Sequence, residues 1–386
     1  MTLAIAGATL AVWVYLVAAR GGFWRASVVD DMSPSSEPPQ VWPPVIAVVP
    51  ARDEADVIAL SVGSLLDLEY PGAFHIVLVD DQSRDTTAAV AQAAALGRRD
   101  PRLTVLSGRA LPRGWTGKVW AMQQGVEHAE SLAERPSYLL FSDADIVFAK
   151  DALRRLVARA EMEGLALTSL MAKLRCESPA ERGLIPAFVF FFQMLYPFSW
   201  VNRPDRGTAA AAGGCMLAKL EALQQAGGLA AIRDRLIDDC ALARKLKAIG
   251  PIWIGLTERA VSLRPYPHTS DVGRMISRSA YEQLDRSPLR LAGTVAGMAL
   301  TYLAPPVLAL AASGLAQAMG AAAWLGMAAA FQPMLRFYRM HPMWGFLLPA
   351  IASAYMVFTL HSAYQYARGR GGQWKGRAQA NVSGNE

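Results

Sequence analysis

Two kinds of hydrophobic pattern divide the chain. From Val45 onward, short apolar runs alternate with amphipathic stretches. Val45-Ile46-Ala47-Val48-Val49-Pro50 reads as a buried strand. Asp53 and Glu54 then open a helical run through Val57, Ile58, Leu60, Val62, Leu65 and Leu66, acids being favoured at a helix N-terminus. His75 to Val79 is a second strand ending in Asp80-Asp81-Gln82-Ser83, and Asp85-Thr86-Thr87 starts another helix. Leu103 to Leu106 is a third strand. Gly114-Trp115-Thr116-Gly117-Lys118 precedes a helix carrying Val119, Ala121, Met122 and Val126. Tyr138-Leu139-Leu140-Phe141 then runs into Ser142-Asp143-Ala144-Asp145. Strands alternating with helices predict an α/β fold with a mostly parallel sheet. Ligands of such sheets bind beyond the carboxyl ends of the strands. Arg52-Asp53-Glu54, Asp80-Asp81, Lys118, Asp143 and Asp145 all fall at those ends or in the loops beyond them.

The second pattern is long and unbroken. Thr2 to Ala19 carries no charge and is followed by Arg20 and Arg25; Leu291 to Phe331 is 41 residues without Asp, Glu, Lys or Arg; Met343 to Gln365 is another such run. At roughly 20 residues per span, these predict an N-terminal membrane helix over 1–25, a linker rich in proline over 26–43, and C-terminal membrane helices over 286–367. The first run lacks a basic segment before it, so a retained anchor fits better than a cleaved signal. Arg20, Arg25, Arg286 and Arg290 place the polar domain, 44–285, in the cytoplasm by the positive-inside tendency. Three spans after that domain would carry the basic tail, 368–386, to the far side. Arg368, Arg370, Lys375 and Arg377 favour the cytoplasm instead. Either one segment does not cross or the tail departs from the tendency.

Composition agrees with a membrane protein. The 386 residues are 53% hydrophobic with mean hydropathy +0.21, net charge +6 and a pI near 9.3. The positive balance suits anionic headgroups, and no nucleic-acid motif accompanies it. Cys176, Cys215 and Cys240 have no CxxC spacing, and the five histidines are scattered. Neither a disulfide framework nor a zinc site is implied.

Asp143 and Asp145 carry the first chemical hint. On a strand, residues two apart face the same way. Two carboxylates on one point suit a hard divalent cation that also takes phosphate oxygens and water. Taken alone, a polar turn closing a buried strand explains them equally well.

Together the motifs carry more. Val49-Pro50-Ala51-Arg52-Asp53-Glu54, Val79-Asp80-Asp81-Gln82-Ser83, Gly117-Lys118, Asp143-Ala144-Asp145 and Ile237-Asp238-Asp239-Cys240 resemble the inverting family 2 glycosyltransferases of GT-A fold. Gly114 to Lys118, Phe188 to Phe198, Gly213-Gly214-Cys215-Met216 and Arg368 to Arg377 look like the hopene-associated group, named for bacterial hopanoid biosynthesis. The resemblance implies a bacterial inner-membrane enzyme that moves one sugar from a nucleotide sugar, with UDP as the expected nucleotide, to a hopanoid-like lipid. It implies that Pro50, Arg52 and Glu54 belong to the loop cradling the nucleotide and that Asp81 reads the uracil or ribose. Lys118 would lie near the diphosphate, Asp143 and Asp145 would hold Mg²⁺ or Mn²⁺, and Asp239 would be the catalytic base. A carotenoid or other polyprenoid acceptor is the alternative. So is a non-catalytic lipid-binding module on the same scaffold.

The residues themselves leave several points open. Asp238-Asp239 also suits the cap and first turn of a helix bearing Leu242 and Leu246. Processive members carry QxxRW before their last helices; here Met275-Ile276-Ser277-Arg278-Ser279 keeps the arginine alone. Arg278 either holds the diphosphate or snorkels to the membrane surface, and loss of the other two residues favours a single transfer. The aromatic, uncharged run 184–200 lies between Pro186 and Pro197 for much of its length. It is expected as an interfacial helix admitting a lipid acceptor, with a buried core helix as the alternative. A nucleotidyltransferase is disfavoured, because the loop after the first strand is acidic and has no glycine.

Overall fold

The computed structural model of the chain describes residues 1–31, 39–374 and 377–378. Part of the linker, with Pro34 and Pro38, and most of the basic tail, with Lys375, lie outside the described residues. The chain forms two compact units.

One unit contains Val28–Arg175 and Trp200–Arg264. Its sheet has eight strands: β1 (Val45–Ala51), β2 (Phe74–Asp80), β3 (Leu103–Ser107), β4 (Tyr138–Ser142), β5 (Ile146–Phe148), β6 (Leu167–Lys173), β7 (Cys215–Lys219) and β8 (Ile252–Ser262). They lie in the order β3-β2-β1-β4-β7-β6-β8-β5. β1 pairs in parallel with β2 and β4, β2 with β3, and β6 with β8. β7 runs against β4 and β6, and β5 against β8. Six of the eight strands therefore point one way, and this is the mixed, mostly parallel sheet of the GT-A fold. β1 and β4 are buried along their whole length, which is why they read as continuous apolar runs rather than alternating ones.

The expected strands and helices form where the pattern puts them, with instructive exceptions. The helix after β1 begins at Ile58, not at Asp53 and Glu54. Those two acids stay in the loop, where their side chains serve other partners. Asp143 and Asp145 lie past the end of β4, in the turn before β5. The two-residue strand periodicity therefore does not govern their directions. The linker is not featureless either: Val29 forms a parallel bridge to Leu256, and Asp30 is buried beside Arg155 and Arg259.

The other unit contains Met1–Ser27, Cys176–Ser199 and Pro265–Gln373. Two stretches inside 44–285 thus group with the apolar helices. The reason is visible at helix Pro179–Leu195, where Phe190 packs on Phe331, and Phe191 on Tyr302 and Tyr355. This helix starts well before the aromatic run, at a capping box between Ser178 and Glu181, and Pro186 sits inside it. The two prolines therefore do not bound a short interfacial piece. Pro179–Val201, Pro288–Ala311, Gly314–Phe337 and Pro342–Ala367 are long and apolar enough to cross a membrane. Thr2–Ala18 is apolar but shorter, 17 residues. Arg20, expected as a topology signal, donates to the carbonyls of Met194 and Leu195 at the end of helix Pro179–Leu195.

Helix Gly117–Ser131 crosses β1 and β2 at close range. A methyl group on Gly125 would collide with Val48 Cγ1 and stand 3.3 Å from Val79 Cγ2. Gly125→Ala is expected to destabilise this unit by about 1–3 kcal/mol through overpacking, read as a lowered thermal midpoint.

Candidate active site

Strand direction gathers the charged residues on one rim. β1, β2 and β4 end there, and β7 begins there because it runs the opposite way. Arg52 follows β1 and Asp81 follows β2. Asp143 and Asp145 follow β4, and Gly213 precedes β7. Asp238 and Asp239 open helix Asp238–Lys247, and Lys118 lies in the first turn of helix Gly117–Ser131.

The loops after β1 and β2 lock together. Arg52 and Asp81 are both buried, and Arg52 Nη1 is 3.6 Å from Asp81 Oδ2. The same guanidinium nitrogen donates to the Asp81 and Gln82 carbonyls. Asp53 and Gln82 adopt left-handed backbone, φ 49° and 57°. Their cost is offset by local bonds: the amide of Asp53 donates to Ser83 Oγ, and Asp53 Oδ1 accepts from the amide of Arg84 at 2.7 Å. Asp80 accepts from the amide and hydroxyl of Ser83. These acids are used by the backbone, as turns require. Asp81 is different: its side chain is fully buried beside a cation. Pro50 lies inside β1.

Lys118 is the centre of the second cluster. Its Nζ lies 2.8 Å from Asp143 Oδ1 and 3.3 Å from Asp238 Oδ2. Burial works against its charge, but Asp143, Asp238 and Asp239 outweigh it and hold the ammonium well above the usual lysine range. Asp239 accepts from the amides of Gly213 at 3.0 Å and Cys240 at 2.7 Å. Burial, and then the neighbouring Asp238, push its carboxyl up to about 6, against the opposing pull of Lys118 and the two amides. Both readings of the acidic pair meet here. Asp239 does satisfy one helix amide, yet its pKa is poised near neutrality, where a general base works best. Space at Gly213 is tight: a methyl group would stand 3.1 Å from Lys118 Nζ and 3.4 Å from Asp239 Oδ2.

Asp145 belongs to a third cluster that the sequence did not reveal. Its Oδ2 accepts from Ser262 Oγ at 2.8 Å and lies 3.3 Å from Arg264 Nε. Arg264 Nη2 is 2.6 Å from Glu54 Oε1. The signal available was positional: Arg264 follows β8, a strand parallel to β6. The helix cap falls at Ile237, so Asp238 and Asp239 are both first-turn acids, and the pairing of Asp238 with Lys118 appears only in three dimensions. Arg278 belongs to the helical unit, exposed at the end of helix Thr269–Ser277.

Among the described residues, no group of three or more His, Cys, Asp or Glu forms a ready-made metal cage. The donor chemistry nevertheless fits a hard cation. Asp143 and Asp145 flank one residue, and each has an oxygen, Oδ2 and Oδ1 respectively, that takes no part in the contacts above. Two carboxylates completed by water and phosphate is a usual arrangement for Mg²⁺.

A mixed sheet with an acidic rim at its strand ends defines a GT-A transferase domain. Residues 46–227 match the family model described as glycosyl transferase family 2. That match, over just under half of the chain, makes it an enzyme of the glycosyltransferase class. A mannosyltransferase from Pyrobaculum calidifontis, solved with GDP-Man and Mn²⁺, has a similar fold: TM-score 0.55, 20% identity, 92% of this chain and 99% of that one. TarS from S. aureus, solved with UDP-GlcNAc, gives TM-score 0.41 at 16% identity, over 86% of this chain and 95% of its own. Glucosyl-3-phosphoglycerate synthase from Mycobacterium tuberculosis, solved with Mn²⁺ and UDP-glucose, gives 0.40 at 19% identity, over 63% and 79%. No curated protein matches the chain by sequence.

Lys118→Met would leave three neighbouring carboxylates without their shared cation. Stability at pH 7 is expected to fall by about 1–2 kcal/mol, less than for a fully buried pair because the Lys118 and Asp143 side chains are 17% and 36% exposed. The sign of the pH dependence follows. Without the lysine the carboxyls bind protons more tightly folded than unfolded, so the loss shrinks as pH falls toward 5. Thermal unfolding at the two pH values checks this.

Proposed function

We propose that the protein is a membrane-bound, metal-dependent, inverting glycosyltransferase that moves one sugar from a nucleotide sugar, UDP being the expected nucleotide, to a lipid of hopanoid type. One observation carries the reading. Asp81, Lys118, Asp143, Asp145 and Asp239 meet on one rim, and among them Asp239 alone combines two amide donors with a pKa raised to about 6.

The roles follow from chemistry. Asp81, held by Arg52, presents a buried carboxylate to the hydroxyl or N–H groups of the nucleoside. Arg52 and Glu54 shape the loop beside it; Pro50, expected in that loop, lies within β1 just before it. Asp143 and Asp145 would hold Mg²⁺ or Mn²⁺, which when bound offsets charge growing on the departing diphosphate. Lys118 adds a fixed cation near the same group. Asp239 takes the proton from the acceptor hydroxyl as that oxygen bonds to the anomeric carbon. The bond from that carbon to the diphosphate oxygen breaks, and the nucleoside diphosphate leaves. A single base with no enzyme nucleophile inverts the anomeric centre.

The lipid acceptor is supported by the resemblance to the hopene-associated group and by four helices long and apolar enough to span a membrane. The basic flanks at Arg20, Arg25, Arg286 and Arg290 support a cytoplasmic catalytic domain in a bacterial inner membrane.

Turnover of a UDP-sugar with membrane lipid is expected to vanish in Asp145→Ala. Asp239→Asn is expected to lower kcat about 10²–10⁴-fold. In the wild type, kcat/KM should fall about tenfold per pH unit below pH 6, as Asp239 takes up a proton. Wild-type turnover in both variants would overturn the mechanism. Comparing lipids of cells with and without the gene identifies the acceptor, as one lipid that loses one sugar.

A further inference from the structure

Arg264 reaches two carboxylates from distant parts of the chain. Its Nη2 is 2.6 Å from Glu54 Oε1, and its Nε is 3.3 Å from Asp145 Oδ2. The side chains of Glu54 and Asp145 are only 7% and 10% exposed. Asp145 is thus a nearly buried carboxylate whose charge is already compensated by the protein itself. Lys118 stands differently at Asp143, because Asp238 and Asp239 also hold it. Arg264 also pairs with Glu54, in the loop after β1.

We propose that Arg264 is the resident counter-ion of Asp145, and that a divalent cation binding at Asp145 displaces it, leaving the guanidinium on Glu54. The inference rests on the metal role given to Asp145 above. Whichever oxygen of Asp145 an ion takes, a guanidinium on Oδ2 would stand within roughly 6 Å of it, and like charges at that range repel. Cation affinity without donor is therefore held below what two carboxylates alone would give. The ion is retained once the donor's phosphate oxygens add to its ligands, a usual requirement for Mg²⁺. Arg264 is a positioning residue in this scheme: it favours loading of cation and nucleotide sugar together over loading of the cation alone.

Electron paramagnetic resonance of free Mn²⁺, titrated into the full-length protein in detergent without nucleotide, tests this directly. Arg264→Gln is expected to bind Mn²⁺ about tenfold more tightly than wild type, since a competing charge is gone. Glu54→Gln is expected to weaken binding about threefold or more, because Arg264 then has Asp145 as its carboxylate on the rim. Asp145→Asn should lose the site. Equal or weaker binding in Arg264→Gln, with binding lost in Asp145→Asn, overturns the inference and leaves the proposed function standing. If Asp145→Asn binds like wild type, the metal role of Asp145 fails as well. If Arg264→Gln does not fold, the direction of the change in Glu54→Gln decides.

Discussion

The site depends on keeping many negative charges together. Eight carboxylates, those of Asp53, Glu54, Asp80, Asp81, Asp143, Asp145, Asp238 and Asp239, lie at the strand ends and loops of one rim. Like charges so placed repel unless cations or hydrogen-bond donors separate them. Three side chains do so. Arg52 serves Asp53 and Asp81; Lys118 serves Asp143, Asp238 and Asp239; Arg264 serves Glu54 and Asp145. Asp80 is satisfied by Ser83. Each cation joins residues that are remote in sequence, so the charge pattern also fixes how the loops sit on one another.

That division explains why Asp239 stands apart. Lys118 gives its two close contacts to Asp143 and Asp238, and Asp239 depends on the amides of Gly213 and Cys240. Two amide donors do not fully offset burial beside another carboxylate, so its pKa rises to about 6. The tight Gly213 turn matters for the same reason. It lets a backbone amide, rather than a second cation, approach the carboxylate. The Gly-Gly pair before β7 is therefore part of how the basicity of Asp239 is set.

Much of this was legible in the sequence, and the exceptions share a cause. Buried strands such as Val45–Ala51 and Tyr138–Ser142 announce themselves as apolar runs, and parallel order places their ends on one rim. Local pattern misleads where a side chain answers to a distant partner. Asp53 and Glu54 look like a helix start, but they serve Arg84 and Arg264. Asp143 and Asp145 look like a same-face strand pair, but they sit in a turn and bind different cations. Pro186 and Pro197 look like boundaries. Yet a capping box at Ser178 and Glu181 starts the helix earlier, and packing of Phe190 and Phe191 carries it through Pro186. Arg264 has a positional signal only, its place after β8, and no local motif marks it.

The charge balance also bears on metal dependence. With every carboxylate ionised, these eight acids outnumber the three cations that hold them. A nucleotide sugar's diphosphate is itself anionic, and a rim of that sign repels it. The buried pair of Arg52 and Asp81 cannot reverse this, because it is already neutral within itself. A partly protonated Asp239 softens the excess by at most one charge. A divalent ion shared between rim carboxylates and phosphate oxygens inverts the local sign at the point where donor and protein meet. We therefore read the surplus of acids as a demand for such an ion. A rim built to bind the diphosphate through side chains alone would carry more arginine and lysine than carboxylate.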